Sequence, residues 1–451
     1  MKNHLFLSVL FATALFCQPT LISAQKSNDG IKSESASQFT FKEYFTDKTL
    51  RIDYLLAGDA SSEIVYFSGM REEPQWGGPH NNLIDPFGYG TYRYMAYDSA
   101  SGKLIFSRGY SSLFQEWKGT PEAKIMKRAF SMVAVMPFPQ RTIRFVIEKR
   151  NYNSNQFESI FERIIAPTDY FITKENIHRY PVTDIYHSGD PANHVDIVFL
   201  AEGYTTLEMD KFRNDARSMF DYFMTVPPYN GMKDRFNFYA IEAPSDESGV
   251  TIPGKDIYVN TNIHSSFYTF DMDRYLTTSD TRAVYDIAAS APYDIAFVLV
   301  NSKRYGGGGF YNHYGQSTVD NNLSKIVAIH EFGHTFAGLA DEYYTSEVTY
   351  SDFYNLKFEP WEPNITTRVN FDLKWKDKVD AETPIPTPRE DKYKNTVGLF
   401  EGGGYLSKGI YSPMMDCRMK SNEAPGFCPA CQEAIRRMIL FYCDKETTSG
   451  H

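Results

Sequence analysis

The stretch IVAIHEFGHTFAGLADEY, from Ile326 to Tyr343, constrains the chain more than any other. His330 and His334 stand four residues apart. On an α-helix that spacing stacks both imidazoles on one face, within reach of a single ion. A helix from Asn321 to Gly338 accommodates the pattern, with Asp320, Asn321 or Ser324 as its cap and Gly338 as its stop. Imidazole nitrogens bind zinc at about 2.0–2.1 Å. Glu331 lies one step round the helix from His330, outside the ligand set but beside any water held there, where it suits a general base. One catalytic zinc ion is therefore expected, with a third protein ligand and an open fourth position.

In the metzincin metalloproteases the helix stops at a glycine, and a His or Asp beyond the turn completes the ligand set. Here Gly338 and Asp341 each come one residue later than in that pattern. Asp341 is the predicted third ligand, with Glu342 as its rival, and Glu359 or Glu362 would serve in a thermolysin-like arrangement. The segment GIYSPMMDCRM, Gly409 to Met419, is similar to the methionine turn of metzincins, with Met415, or else Met414, as the apolar floor. Tyr411 or Tyr405 is placed near that turn to support an oxyanion. His313 is a candidate substrate contact, and Asp246 with Glu247 a candidate calcium pair resting on two carboxylates alone.

A chain of 451 residues exceeds the usual single core and divides most naturally into two domains. Its net charge of −10, with no basic stripe, argues against nucleic acid as a partner. Lys2, the apolar run Leu5 to Cys17 and the small residue Ala24 read as an export signal over 1–24; a lipid anchor at Cys17 is the other reading, weakened by the bulky Phe16. The apolar run is too short for a transmembrane span, and no other stretch qualifies. The expected location is therefore the periplasm, the cell surface or the medium. Cys417, Cys428, Cys431 and Cys443 all fall near the C-terminus. An even number in an exported chain predicts two disulfides. Cys428-Pro429-Ala430-Cys431 also resembles a redox motif, and a four-cysteine structural zinc is the third reading.

The chain changes rhythm along its length. Residues 25–38 are polar and read as a flexible leader. From 39 to 167, short alternating runs such as Leu50-Ile52-Tyr54, Ile64–Phe67, Thr91–Tyr97 and Phe130–Met136 are punctuated by turns, which predicts an all-β sandwich. From 168 to 451, apolar strands (HVDIVFLA from His194, DIAFVLVN from Asp294) alternate with helical patterns, including Thr206 to Thr225 with Leu207 on its apolar side. That alternation predicts an α/β, or α+β, catalytic domain. The glycine run Gly306–Gly309 lacks the Lys-Ser or Lys-Thr of a phosphate loop and suits the edge of a cleft, where an extended substrate chain would pair.

HEFGHTFAGLADEYY (His330–Tyr344), EPWEPNIT (Glu359–Thr366), GLFEGGGYLSKGIYSPMMDCRM (Gly398–Met419) and GGGGFYNHYG (Gly306–Gly315) resemble the IgA-peptidase family of bacterial metalloendopeptidases. The resemblance covers roughly Asp169 to Tyr442, and the region before it is similar to that family's N-terminal β-domain. It implies a zinc endopeptidase with a metzincin-like fold, acting on a protein or peptide, with a host glycoprotein as one candidate substrate. It carries onto His330, Glu331, His334 and Asp341. The namesake activity on immunoglobulin A belongs to some members and is not encoded in these motifs. The rival from another class is a surface protein binding glycan or peptide, with a structural or silent metal site; Glu331 argues against it, because a structural site needs no base.

Overall fold

Side chains alternate along the strand Phe45–Gly58, and its neighbours are chosen accordingly. It pairs antiparallel with Glu63–Glu73 on one side and Arg128–Pro139 on the other, and Ile172–Thr173 adds a short parallel edge. A second sheet runs Leu104–Tyr110, Tyr92–Asp98, Ile143–Arg150, Phe157–Ile165. The facing sides of the two sheets meet through large aromatic side chains. Tyr54 Oη donates to Tyr110 Oη at 2.6 Å, Tyr94 Oη donates to the Val135 carbonyl at 2.9 Å, and Phe45 meets Phe106 edge-on. The N-terminal region is thus rich in sheet, as its alternation predicts. The strand Phe157–Ile165, with a single fully buried residue, was not anticipated. The computed structural model describes residues 39–174, 179–344 and 353–443. The predicted signal segment, Cys17 and the whole of the leader lie outside the described residues.

The second region is built on a six-stranded sheet in the order Gly307–Gly309, Tyr314–Thr318, Ile295–Val300, Val195–Glu202, Phe236–Ile241, Val182–Tyr186. The inner four strands are parallel and the two outer ones antiparallel. Parallel strands buried on both faces read as continuous apolar runs. Val195, Ile197, Phe199 and Ala201 share a core with the helices Met209–Phe223, Ser324–Ala337 and Pro429–Cys443. Val198 and Leu200, on the other face, pack in a core with the helix Thr281–Ala288 and with Val133 of the N-terminal region. Among the described residues no helix is long and apolar enough to cross a membrane.

Two local expectations are corrected. The helix predicted from Thr206 begins at Met209, because Thr205 and Glu208 form a capping box that closes a 3₁₀ turn first. That turn leaves Leu207 95% exposed, away from the apolar side it was assigned to. The helix bearing the histidines begins at Ser324, not Asn321, and Leu323 at its N-cap gives no side-chain hydrogen bond. Asn321 instead accepts from the Leu323 N–H within the preceding turn.

The two regions are locked together, and from Phe41 onward the chain forms one unit. Arg51, fully buried on an N-terminal strand, pairs with Asp53 at 2.8 Å and reaches across to Asp286 at 2.6 Å. Glu73 beside it accepts from Tyr293 Oη at 2.8 Å. A buried guanidinium is tolerated only with partners of this kind.

The glycine strand Gly307–Gly309 lies directly on the histidine helix. A Cβ at Gly309 would stand 2.4 Å from the Glu331 carbonyl oxygen, and one at Gly307 2.8 Å from Glu331 Cγ. Backbone cannot yield as a flexible side chain can, so Gly309→Ala is expected to cost about 1–3 kcal/mol by overpacking. The midpoint of urea denaturation checks this. Gly69→Ala, where nothing lies within 4 Å of the added carbon, is the control and should leave the midpoint in place.

Candidate metal centre and active-site cavity

The histidine helix Ser324–Ala337 ends where Gly338 takes a left-handed conformation, φ 61° and ψ 31°, as its position in the sequence predicts. The Gly338 N–H returns to the His334 carbonyl at 3.1 Å and the Leu339 N–H to that of Gly333 at 3.2 Å. The chain then doubles back beneath the helix. His330 Nδ1 bonds the Arg418 carbonyl at 3.0 Å, and His334 Nδ1 bonds the Leu339 carbonyl at 2.6 Å. A carbonyl only accepts, so each Nδ1 carries the hydrogen and each Nε2 is left with a free lone pair when the ring is neutral.

Those two Nε2 atoms stand 3.0 Å apart. Asp341 Oδ1 lies 3.1 Å from His330 Nε2 and 3.4 Å from His334 Nε2. Three ligands held tetrahedrally at about 2.0–2.1 Å from one ion would be spaced by about 3.3–3.4 Å, so the donor set fits a zinc-sized ion. Asp341 Oδ2 accepts from Tyr405 Oη at 2.5 Å, whereas the buried Oδ1 faces the two imidazole nitrogens and has no other hydrogen-bond partner among the described residues. Burial alone would lower the imidazolium pKa of His334, but the Asp341 carboxylate overrides it and raises the value to about 9. Burial likewise opposes ionisation of Asp341, and the charges of His334 and His330 hold it far below the usual carboxylate range all the same. Glu331 is raised by burial, with the two histidines pulling the other way.

The rivals for third ligand sit elsewhere. Glu342 faces the opposite way from Asp341, toward Asn364 and Cys431. Glu359 accepts from the Asn370 N–H and from Thr367 Oγ1. Glu362 accepts from Tyr354 Oη on the cavity wall. None of the three joins the two histidines.

The methionine beneath the helix is neither Met415 nor Met414. Met414 packs against the edge of the main core and Met415 is half-buried. Met419 is fully buried, and its sulfur would stand 2.9 Å from a Cβ placed on Gly333, the residue before His334. The segment after the strand Leu406–Ser412 runs further before it turns under the helix, and carries Met419 there. Tyr411 is bound at its backbone to Thr366 and does not line the cavity; Tyr405 does, with its hydroxyl committed to Asp341. His313 is buried, not exposed to substrate, and burial lowers its pKa to about 3. Asp246 and Glu247 are tied to Asn260 and gather no further ligands among the described residues. The outer edge of the glycine strand, expected to be open to a substrate chain, is partly covered: the Leu276 N–H reaches the Gly307 carbonyl at 3.4 Å.

The site opens into a cavity of about 500 Å³. Its far wall comes from the N-terminal region. The helix Leu113–Lys118 is capped by Ser112 and buries Phe114 and Trp117, leaving Gln115 and Glu116 to face the cavity. Burial pushes the Glu116 carboxyl up to about 7, and Tyr275 Oη donates to it at 2.5 Å. The apolar spacing of Phe114 and Trp117 behind a serine cap was the available signal for that short helix.

A second cluster lies behind the first. Glu342, Cys417, Cys428 and Cys431 bring one ligand atom each to within 4.8 Å of one another. The four cysteines are free thiols, and the two predicted disulfides are not formed. Two bridges need all four sulfurs, but Cys443 ends the helix Pro429–Cys443 whose first turn holds Cys431, about 18 Å away along its axis at 1.5 Å per residue. Its thiol contacts the Arg235 carbonyl at 3.5 Å.

The family profile described as IgA Peptidase M64 matches residues 183–395 and 388–439, and the one described as Peptidase M64 N-terminus matches residues 40–162. No curated protein matches the chain.

If Asp341 completes the ligand set, Asp341→Ala lowers the affinity for the ion held by the histidines at least about tenfold, the loss seen when even outer-shell partners are removed. Glu359→Gln leaves it unchanged. Competition with a chromophoric chelator measures both; the reverse pattern would move the ligand assignment to Glu359.

Proposed function

Because the chain belongs to the IgA Peptidase M64 family, whose members are metallopeptidases, we propose that it is an exported zinc-dependent endopeptidase in which His330, His334 and Asp341 hold one catalytic ion and Glu331 is the general base. The observation that carries the reading is the convergence of two imidazole nitrogens and one carboxylate oxygen at the floor of a cavity that Glu331 also lines. An ion bound there supplies a Lewis acid and an acidified water. Glu331 takes the proton of the attacking water and passes it to the leaving amine. Tyr405 orients Asp341 through its hydroxyl. Arg418 and Leu339 orient the two imidazoles through their carbonyls.

The helix that stops at Gly338, the acid beyond the turn and the methionine beneath the helix support a metzincin-like arrangement. The same reading divides the chain into a signal peptide (1–24), a leader (25–38), a β-sandwich domain (39–167) and a peptidase domain (168–451), and takes a protein or peptide as substrate. Export rests on Lys2 and the apolar run that follows it.

Glu331→Gln is expected to abolish hydrolysis of a peptide library while metal analysis finds the ion retained. A variant that loses its ion, or that cleaves at the parental rate, gives Glu331 a different role.

The same site sets a pH dependence. Without an ion, His334 has its pKa raised to about 9 by Asp341 and is protonated at neutral pH. Loading requires a neutral imidazole, so binding expels a proton and affinity rises between about pH 6 and pH 8. Calorimetric titration of the ion-free protein with zinc, in two buffers of different ionisation enthalpy, should show that release. Affinity independent of pH would contradict it.

A further inference from the structure

We propose that Cys417, Cys428, Cys431 and Glu342 form a second, structural metal site of the zinc class, closed to solvent and distinct from the catalytic centre. The four side chains come from three stretches of the chain; all are buried, and none lines the cavity, so no position is left open for substrate. Structural zinc sites have that closed character, with sulfur-rich tetrahedral ligand sets. Cys417 Sγ and Cys431 Sγ are 3.8 Å apart. A disulfide needs about 2.05 Å, whereas two thiolates held tetrahedrally at about 2.3 Å from one ion stand about 3.8 Å apart.

The surroundings suit thiolates. The Cys428 N–H points at Cys417 Sγ at 3.2 Å and the Cys431 N–H at Cys428 Sγ at 3.5 Å. Such donors orient and stabilise metal-bound sulfur. Glu342 Oε1 accepts from Asn364 Nδ2 at 3.0 Å and from Cys431 Sγ at 3.2 Å, while Oε2 is buried with no hydrogen-bond partner among the described residues. A buried carboxylate oxygen is costly unless a donor or a cation satisfies it, and a shared cation would do so here. Lys420 Nζ, also buried without a hydrogen-bond partner among the described residues, is near enough to feel the charges of Glu342 and Cys417. It offsets part of the negative charge that three thiolates and a carboxylate leave around a divalent ion.

The site would pin three strips of chain that serve the catalytic centre. Glu342 follows Asp341, and its N–H bonds the Met419 carbonyl at 2.8 Å. Cys417 precedes Arg418, whose carbonyl holds His330. Cys428 and Cys431 open the C-terminal helix that packs on the same core as the histidine helix.

The test uses the full chain and does not depend on peptidase activity. In the double variant His330→Ala/His334→Ala, elemental analysis should still find one equivalent of zinc. Loaded with cobalt(II), that variant should show the intense near-ultraviolet thiolate-to-cobalt charge-transfer band, which imidazole and carboxylate ligands do not produce. Cys428→Ser/Cys431→Ser should abolish the band; should that variant fail to fold, the double histidine variant and thiol counting decide. In denatured wild-type protein treated with chelator, Cys417, Cys428, Cys431 and Cys443 should all alkylate without reductant. Alkylation that requires reductant assigns the cluster to a disulfide, and free thiols with no zinc or cobalt bound by the double histidine variant assign it to ordinary packing. Either result overturns the proposal, and loss of hydrolysis in Glu331→Gln is untouched by both.

Discussion

The whole centre depends on one backbone reversal. The left-handed turn at Gly338 sends the chain back under the helix it has just left. That reversal presents the Leu339 carbonyl to His334 and brings Asp341 against both imidazoles. A side chain at Gly338 would be strained at that φ and would meet Trp361 at 2.8 Å. Compared with the metzincin spacing, the extra residue is absorbed before this turn: the helix runs on to Ala337, and the glycine simply comes later. The order of the groups is kept because the reversal, not the count, decides which side chain faces the two imidazoles.

The N-terminal region is part of the site rather than an appendage. Its Gln115 and Glu116 face the cavity, and its buried Arg51 reaches Asp286 in the second region. Loop contacts reinforce the join: the Ser111 N–H bonds the Tyr311 carbonyl at 3.0 Å, and Asn312 Nδ2 bonds that of Gly109 at 3.0 Å. A cavity with one wall from each region is shaped by both, and a neutral-range carboxyl at Glu116 sits where its charge is felt by His334 and Glu331.

What was legible in the sequence was what has a short period. Histidines at four-residue spacing, a terminating glycine and apolar strand runs are local patterns, and the structure puts them on a helix, at its end and in a sheet. What was not legible came from distant pairings. Met419, and not Met415, underlies the helix because of how far the chain travels after Ser412 before turning. Glu116 had no neighbour of its own kind to betray it. Cysteine counting misled because parity says nothing of distance, and Cys443 lies at the far end of a helix from the other three. The glycine run announced close approach, but not that the histidine helix lies against one side of it while Tyr275 and Leu276 cover the other.

Asp341 and Glu342 are chemically alike and adjacent, yet they face opposite sides of the strip they share. Along such a strip side-chain direction alternates residue by residue. Inserting or deleting a single residue between Leu339 and Asp341 would therefore exchange their outlooks, sending the longer acid toward the imidazoles and the shorter one toward the thiols. Both clusters would lose their fit at once, although every residue type survived. In this segment the spacing is itself the encoded property, and homologues that keep the acids but change the interval should be rarer than those that change the residues between.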